Sequence, residues 1–272
     1  MAKKKNRALP QTVGITAPGV ETHAHLDLDD FSEDLPEVMA RAKECGVGRI
    51  GNVFLGPQAY EMNKALFDEY PEVFFLVGVH PNDADKFAST DIDAMRSAFQ
   101  SDERLKALGE IGLDFYWDRV PGDVQESVFR EQLELARELD LPVVIHSRDA
   151  HRRTLEILED FGWSGRPLLW HCFGGDTETA QRIIEHGWYI SVPGPITYKK
   201  NEIAQEAVKA IPVDRLVLES DCPFLTPEPW RGKRNEPAYV VFTAAKVAEL
   251  KSMDVNELWS ICAENAHRFF SL

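Results

Sequence analysis

The chain has 272 residues, room for one large domain or two small ones at about 150 residues each. Asp plus Glu outnumber Lys plus Arg by 45 to 30, a formal charge of −15, while 44% of residues are hydrophobic and 10% aromatic. The apolar share excludes a mainly disordered chain, and the acidic balance argues against a protein that coats long stretches of duplex with a broad basic face.

Residues 1–18 read as a loose N-terminal extension. It begins with the basic MAKKKNR, and no apolar stretch of a secretory signal follows. A strand is predicted over Val20–His25, then a helix over Asp34–Cys45 with Leu35, Val38, Met39 and Ala42 at helical spacing. Strands follow at Arg49–Phe54, Val73–Val79 and Ala107–Ile111. A helix over Asp123–Leu139 leads to strands Pro142–His146 and Leu168–His171. Helix Thr177–His186, strand Tyr189–Val192, helix Asn201–Ala210 and strand Leu216–Glu219 complete the alternation. The proline-rich loop Pro223–Pro237 separates these from helices Ala238–Lys251 and Val255–Phe270. Continuous apolar runs such as FFLVGV and PVVIH suit a parallel sheet buried on both faces.

Eight strands alternating with helices point to one (β/α)8 TIM barrel over residues 19–272. A doubly wound open sheet is the alternative, because element order alone does not separate the two. No run approaches the ~18 apolar residues of a membrane span. Four scattered cysteines (Cys45, Cys172, Cys222 and Cys262) without a CxxC fit reduced thiols and a cytoplasmic protein. Gly46, Gly48 and Gly51 spell GxGxxG, but the motif follows a helix and leads into a strand, the reverse of a dinucleotide site. Gly46 is better read as a helix C-cap.

The chemistry lies where apolar strands run out. His23 and His25 sit two apart, so both face one side of the first strand. Glu110 lies near the end of the fourth strand, His146 ends PVVIH, His171 ends LLWH and Asp221 follows LVLES. In a barrel these ends converge on one mouth. Imidazole and carboxylate are ligands for zinc, manganese and related cations. Four histidines and two carboxylates suit two metals, with Glu110 as the bridge because it is central in strand order and has two oxygens. His80, at the end of LVGVH, is either a phosphate or outer contact or a structural cap. Glu219 either orients a ligand or is a buried, paired acid. His151, His186 and His267 fall in or beside helices and read as surface or packing residues.

At these residues the sequence resembles the TatD family of metal-dependent hydrolases, within the amidohydrolase-like superfamily. The segments are ETHAHLD, GVHP, GEIGLDFY, PVVIHSRDA, HCFGG, ESDCPFL and RNEP, spread over residues 20–270. The resemblance implies a barrel with a two-metal site and deoxyribonuclease or phosphodiesterase activity. His23, His25 and Asp221 would hold one divalent cation and His146 and His171 the other, with Glu110 between them. The chain departs from the family pattern at Asn82, where a second histidine is common, and at Ser220 and Cys222 in ESDCP.

The expected function is phosphodiester hydrolysis by a metal-activated water, with Asp221 as general base and Glu110 essential. The cations would be Zn, Mn, Mg or Co. The family suggests a 3′-to-5′ exonuclease acting on single-stranded DNA ends, with no obligate protein partner, no membrane association and a monomeric state. Arg148, Lys199, Lys200, Arg231, Lys233 and Arg234 give the predicted mouth a basic rim. Arg148 and Arg234 are the phosphate candidates, because guanidinium grips phosphate with two prongs; a salt bridge to Asp149 is the competing role for Arg148. Phe115, Tyr116, Trp117, Phe173 and Trp230 flank the site and could stack bases or simply pack. The alternatives are metal-dependent hydrolysis of a small amide, ester or lactone, and a non-catalytic scaffold.

Overall fold

The structure is a computed structural model that describes residues 7–117 and 119–272. Eight parallel strands lie side by side in chain order: β1 (Gly19–Ala24), β2 (Val47–Leu55), β3 (Val73–Gly78), β4 (Leu105–Asp114), β5 (Val143–Arg148), β6 (Leu168–Trp170), β7 (Tyr189–Val192) and β8 (Leu216–Leu218). The helices are α1 (Leu35–Glu44), α2 (Pro57–Asn63), α3 (Ser89–Ser101), α4 (Gly122–Glu138), α5 (His151–Asp160), α6 (Thr177–Glu185), α7 (Glu202–Ala210), α8 (Val240–Lys251) and α9 (Val255–Phe270). Parallel neighbours need a crossover, and each crossover places helical or turn structure on the outside of the sheet.

First and last strands meet, which makes the sheet a (β/α)8 barrel and rejects the open sheet. Ala24 bridges Cys222 in parallel, and the Thr22 hydroxyl donates to the Leu218 carbonyl at 3.0 Å. Inside the barrel every strand contributes at least one apolar side chain: Val20, Val53, Phe74 and Leu76, Ala107, Val144, Leu169, Tyr189 and Val217. Helix α9 stops the N-terminal end of the barrel, packing Phe269 against Tyr189 and Phe270 against Phe74. The opposite end, where the strands finish, is left for polar groups.

The described part of the N-terminal extension is not loose. Residues 10–13 form a 3-10 turn, Thr16 bonds Asn256 at the start of α9, and the Ala17 carbonyl accepts from the Trp259 indole at 3.0 Å. Arg7 donates to the Pro229 carbonyl at 3.0 Å and lies 5.5 Å from the Trp230 ring. Gly46 follows α1 with φ +83, as a C-terminal helix stop, and a Cβ there would meet Ile15 at 2.6 Å. Among the described residues no helix is long and apolar enough to cross a membrane.

Candidate metal centre

The β1–β8 seam builds one side of the site. The Asp221 N–H donates to the His23 carbonyl, and the His25 N–H to the Cys222 carbonyl, both at 2.9 Å. This pairing lays Asp221 beside the two histidines. Period two along β1 puts Glu21 on the same face as His23. Oε1 of Glu21 accepts from the backbone N–H of His23 at 3.0 Å and of Ser220 at 2.7 Å, which ties the seam together from beneath.

The other side comes from β4, β5 and β6. The register of β4 on β5 shifts between Leu108 and Ile111, and Gly112 has φ +141. A Cβ at Gly112 would lie 2.0 Å from the His146 carbonyl oxygen, so only glycine permits this approach. The close approach brings both acids of β4 to His146. Its Nδ1 meets Glu110 Oε1, and its Nε2 lies 3.2 Å from Asp114 Oδ2. Asp114 escaped the sequence reading; its spacing of four from Glu110, with Gly112 between, is the period-two signal that could have found it.

Glu110 is the hub. Its Oε2 lies 3.4 Å from His23 Nε2 and 3.9 Å from His25 Nε2. Its Oε1 lies 3.3 Å from His171 Nε2 and contacts His146. Asp221 Oδ1 is 3.4 Å from His25 Nε2 and 3.9 Å from His23 Nε2. The six residues expected as ligands therefore form one connected cluster.

Two of its histidines are held with Nε2 free to ligate. His25 Nδ1 lies 3.1 Å from the Val53 carbonyl, and His171 Nδ1 lies 2.9 Å from Glu219 Oε2. A carbonyl or carboxylate accepts a hydrogen bond from Nδ1–H, which leaves Nε2 as the nitrogen that ligates. Glu219 thus orients His171, which decides between the two readings of that acid. Both ring nitrogens of His23 are buried with no hydrogen-bond partner. A buried polar atom left so is costly, and a cation beside Nε2, between Glu110 and Asp221, would satisfy it. The residues fit a metal.

The electrostatics follow from these contacts. Burial alone would raise the Glu110 carboxyl, but His171 and His146 outweigh it and hold the acid well below its usual range. Burial, then the neighbouring His171, pushes His23 down to about 3, so it is neutral and able to ligate. Burial opposes a charge on His146, yet Glu110 and Asp114 raise it to about 9. Glu21, lower in the barrel, is pushed up to about 8 by burial.

The remaining predicted contacts divide. His80 is both a cap and a site residue. Its Nδ1 accepts the Asn82 N–H at 3.1 Å while Nε2 lies 3.6 Å from Glu110 Oε1. Arg148 is exposed, with its guanidinium 3.9 Å from the centre of the Tyr116 ring and no ion pair to Asp149 among the described residues. Arg234 does not face the cluster as a free cation. It forks onto Asp34 with two 2.7 Å bonds and donates to the Asp30 carbonyl at 2.6 Å. Phe173 is buried against His151, and Trp230 stacks on Tyr239 while its indole donates to Ala8. Phe115, Tyr116 and Trp117 are exposed, as is Phe224, which meets His25 edge-on and was not foreseen.

A parallel barrel with buried imidazoles and carboxylates at the ends of its strands belongs to the metal-dependent hydrolases. The family model described as "TatD related DNase" matches residues 20–271, and the chain belongs to the TatD family. It is 42% identical to a Bacillus subtilis protein described as the uncharacterized metal-dependent hydrolase YabD, over 93% of this chain and 98% of that protein. It is 32% identical to the 3′-5′ ssDNA/RNA exonuclease TatD of Citrobacter rodentium, over 91% of this chain and 96% of that one. The crystal structure of the TatD homologue YJJV from Escherichia coli superposes with a TM-score of 0.88 at 28% identity, over 93% and 98% of the two chains.

Proposed function

We propose that the chain is a two-metal phosphodiesterase that trims single-stranded DNA from the 3′ end. The observation that carries this reading is the division of Glu110, whose two oxygens serve two separate histidine pairs. His23, His25 and Asp221 would hold one cation, and His146 and His171 the other, with Glu110 common to both. Glu110, Asp114, Glu219 and Asp221 supply a concentrated negative charge, which two divalent ions would offset. The imidazole share of the set suits Zn better than Mg, and its carboxylates suit Mn as well.

Bound divalent cations would lower the pKa of an attacking water and offset the charge of the phosphate. Asp221 is the carboxylate positioned to accept the proton of that water. Its side chain is 13% exposed against 5% for Glu110, so it reaches further into the mouth. Above it, Tyr116, Trp117 and Phe224 offer ring faces for unpaired bases, and Arg148 a guanidinium for the backbone. A stacked base must be unpaired, which favours single strands and frayed ends. The relative described as a 3′-5′ ssDNA/RNA exonuclease supports this polarity.

The test is hydrolysis of a 5′-labelled single-stranded DNA by wild type and Glu110→Ala in Mg, Mn and Zn. A metal-dependent ladder that shortens from the 3′ end, and is lost in the variant, is expected. Absence of cleavage in every metal, with metal still bound, would overturn the reading in favour of a small-molecule hydrolase.

A further inference from the structure

We infer that His80 is a fixed hydrogen-bond donor to an oxygen of the substrate phosphate, and not a third-cation ligand. The inference rests on the phosphodiesterase reading for the identity of the acceptor, but not for the state of the ring.

Side-chain types alone suggest the opposite. His80, Asp114 and His146 each bring a ligand-type atom within 4.8 Å of the others, enough to hold an ion. The backbone decides against it. Residues 81–86 form a 3-10 turn, and His80 is its cap. The Asn82 N–H can only donate, so His80 Nδ1, 3.1 Å away, must accept and carries no proton. In a neutral imidazole the proton then sits on Nε2. This is the reverse of His25 and His171, whose Nδ1 atoms face oxygens and whose Nε2 lone pairs are free. A protonated Nε2 cannot ligate a cation.

The same nitrogen is aimed into the site. Nε2 lies 3.6 Å from Glu110 Oε1, beyond hydrogen-bonding distance, and the side chain is 13% exposed. The result is an N–H beside the hub carboxylate, directed to where a phosphoryl oxygen would approach Glu110 and its histidines. A donor fixed before substrate arrives needs no reorganisation during reaction. Pro81 and the buried Ala84 hold the turn that sets its direction.

Four measurements on the whole chain test this. Long-range 1H–15N spectra of histidine-labelled metal-free protein, assigned by comparison with His80→Asn, should show His80 protonated on Nε2. An Nδ1-protonated ring would overturn the inference. Metal bound per chain should be equal in wild type, His80→Ala and His80→Gln; loss of an ion in His80→Ala would make His80 a ligand and sink the proposal. Inorganic phosphate should bind the metal-loaded His80→Ala variant about 10-fold more weakly than wild type, with His80→Gln recovering part of the loss through its amide N–H. Equal phosphate affinity in all three would also overturn it. On single-stranded DNA the Ala variant should lose about 10²-fold in kcat, as for removal of one preorganised donor. A wild type that binds phosphate but cleaves no DNA would instead remove the nuclease reading, and the first three measurements would still decide the role of His80.

Discussion

Glu219 accepts the Nδ1–H of His171 at 2.9 Å through one oxygen and the backbone N–H of Cys172 at 2.8 Å through the other. It touches no other residue of the Glu110 cluster in this way, yet it fixes the direction of a histidine in it. An amide offers only one acceptor oxygen, so Glu219→Gln cannot keep both bonds. Metal affinity, read by chelator competition, should fall about 10–100-fold. An unchanged affinity would show that the ring is held by packing alone.

Metal removal should lower thermal stability. His23 has two buried nitrogens without a hydrogen-bond partner, and the carboxylates of Glu110 and Asp221 lie 3.4 and 3.9 Å from its Nε2. At a free metal concentration 100 times Kd, binding stabilises by about 2.7 kcal/mol. For a chain of this size that is a Tm difference of about 5 °C. Calorimetry with and without chelator measures it, and Glu110→Gln should abolish most of the difference. A Tm indifferent to chelation would argue against ligands at this cluster.

The aromatic rim should govern strand binding more than bond cleavage. Tyr116 and Trp117 are exposed and lie edge to face, 5.0 Å apart, with Arg148 over Tyr116. Stacking is worth about 1–3 kcal/mol per base, so Trp117→Ala or Tyr116→Ala should raise KM for a single-stranded oligonucleotide about 5- to 150-fold. Hydrolysis of bis(p-nitrophenyl) phosphate, which has no strand to hold, should change much less. Equal losses on both substrates would place the defect at the reacting centre.

Away from the mouth, Asp102 links the start of β4 to α2. It accepts the Tyr60 hydroxyl at 2.9 Å and the Arg104 Nε at 3.2 Å. Burial would raise its carboxyl, but the bonds from Arg104 and Tyr60 outweigh burial and hold it below 3.8. A lowered folded pKa means that the ionised form is the stabilising one. The contribution is present above pH 3.8 and lost as pH falls through the lower, folded value. Asp102→Asn should therefore lower Tm at pH 7 and converge on wild type in acid. A constant difference across that range would assign the effect to shape and not to charge.

The strands were the readable part of this sequence. Runs such as FFLVGV and PVVIH are buried on both faces, so hydrophobicity marks them without needing a period, and each predicted strand overlaps an observed one. Helices α2, α3 and α5 were not named, because short or heavily charged segments such as STDIDAMRSAFQS and HRRTLEILED carry little apolar signal. The histidines and acids at strand ends were legible because the barrel gathers those ends. Asp114 was not, since it is read only once Glu110 is placed and the close approach at Gly112 is seen. The partner of Arg234 was not legible, because charge in a loop says nothing about the acid waiting for it, here Asp34. For Trp230 the packing reading is the one observed, against Tyr239 and with a bond to Ala8 in the N-terminal segment.

The seam that sets Asp221 against His23 also imposes a schedule on synthesis. His23 leaves the ribosome early, and Asp221 follows roughly 10–40 s later at about 5–20 residues per second. Throughout that interval the nascent chain carries two exposed imidazoles without their carboxylate. The grouping of His23, His25 and Asp221 and the closing of the barrel are completed by the same few residues, so an unfinished chain has no assembled centre and its chemistry begins only when the barrel shuts.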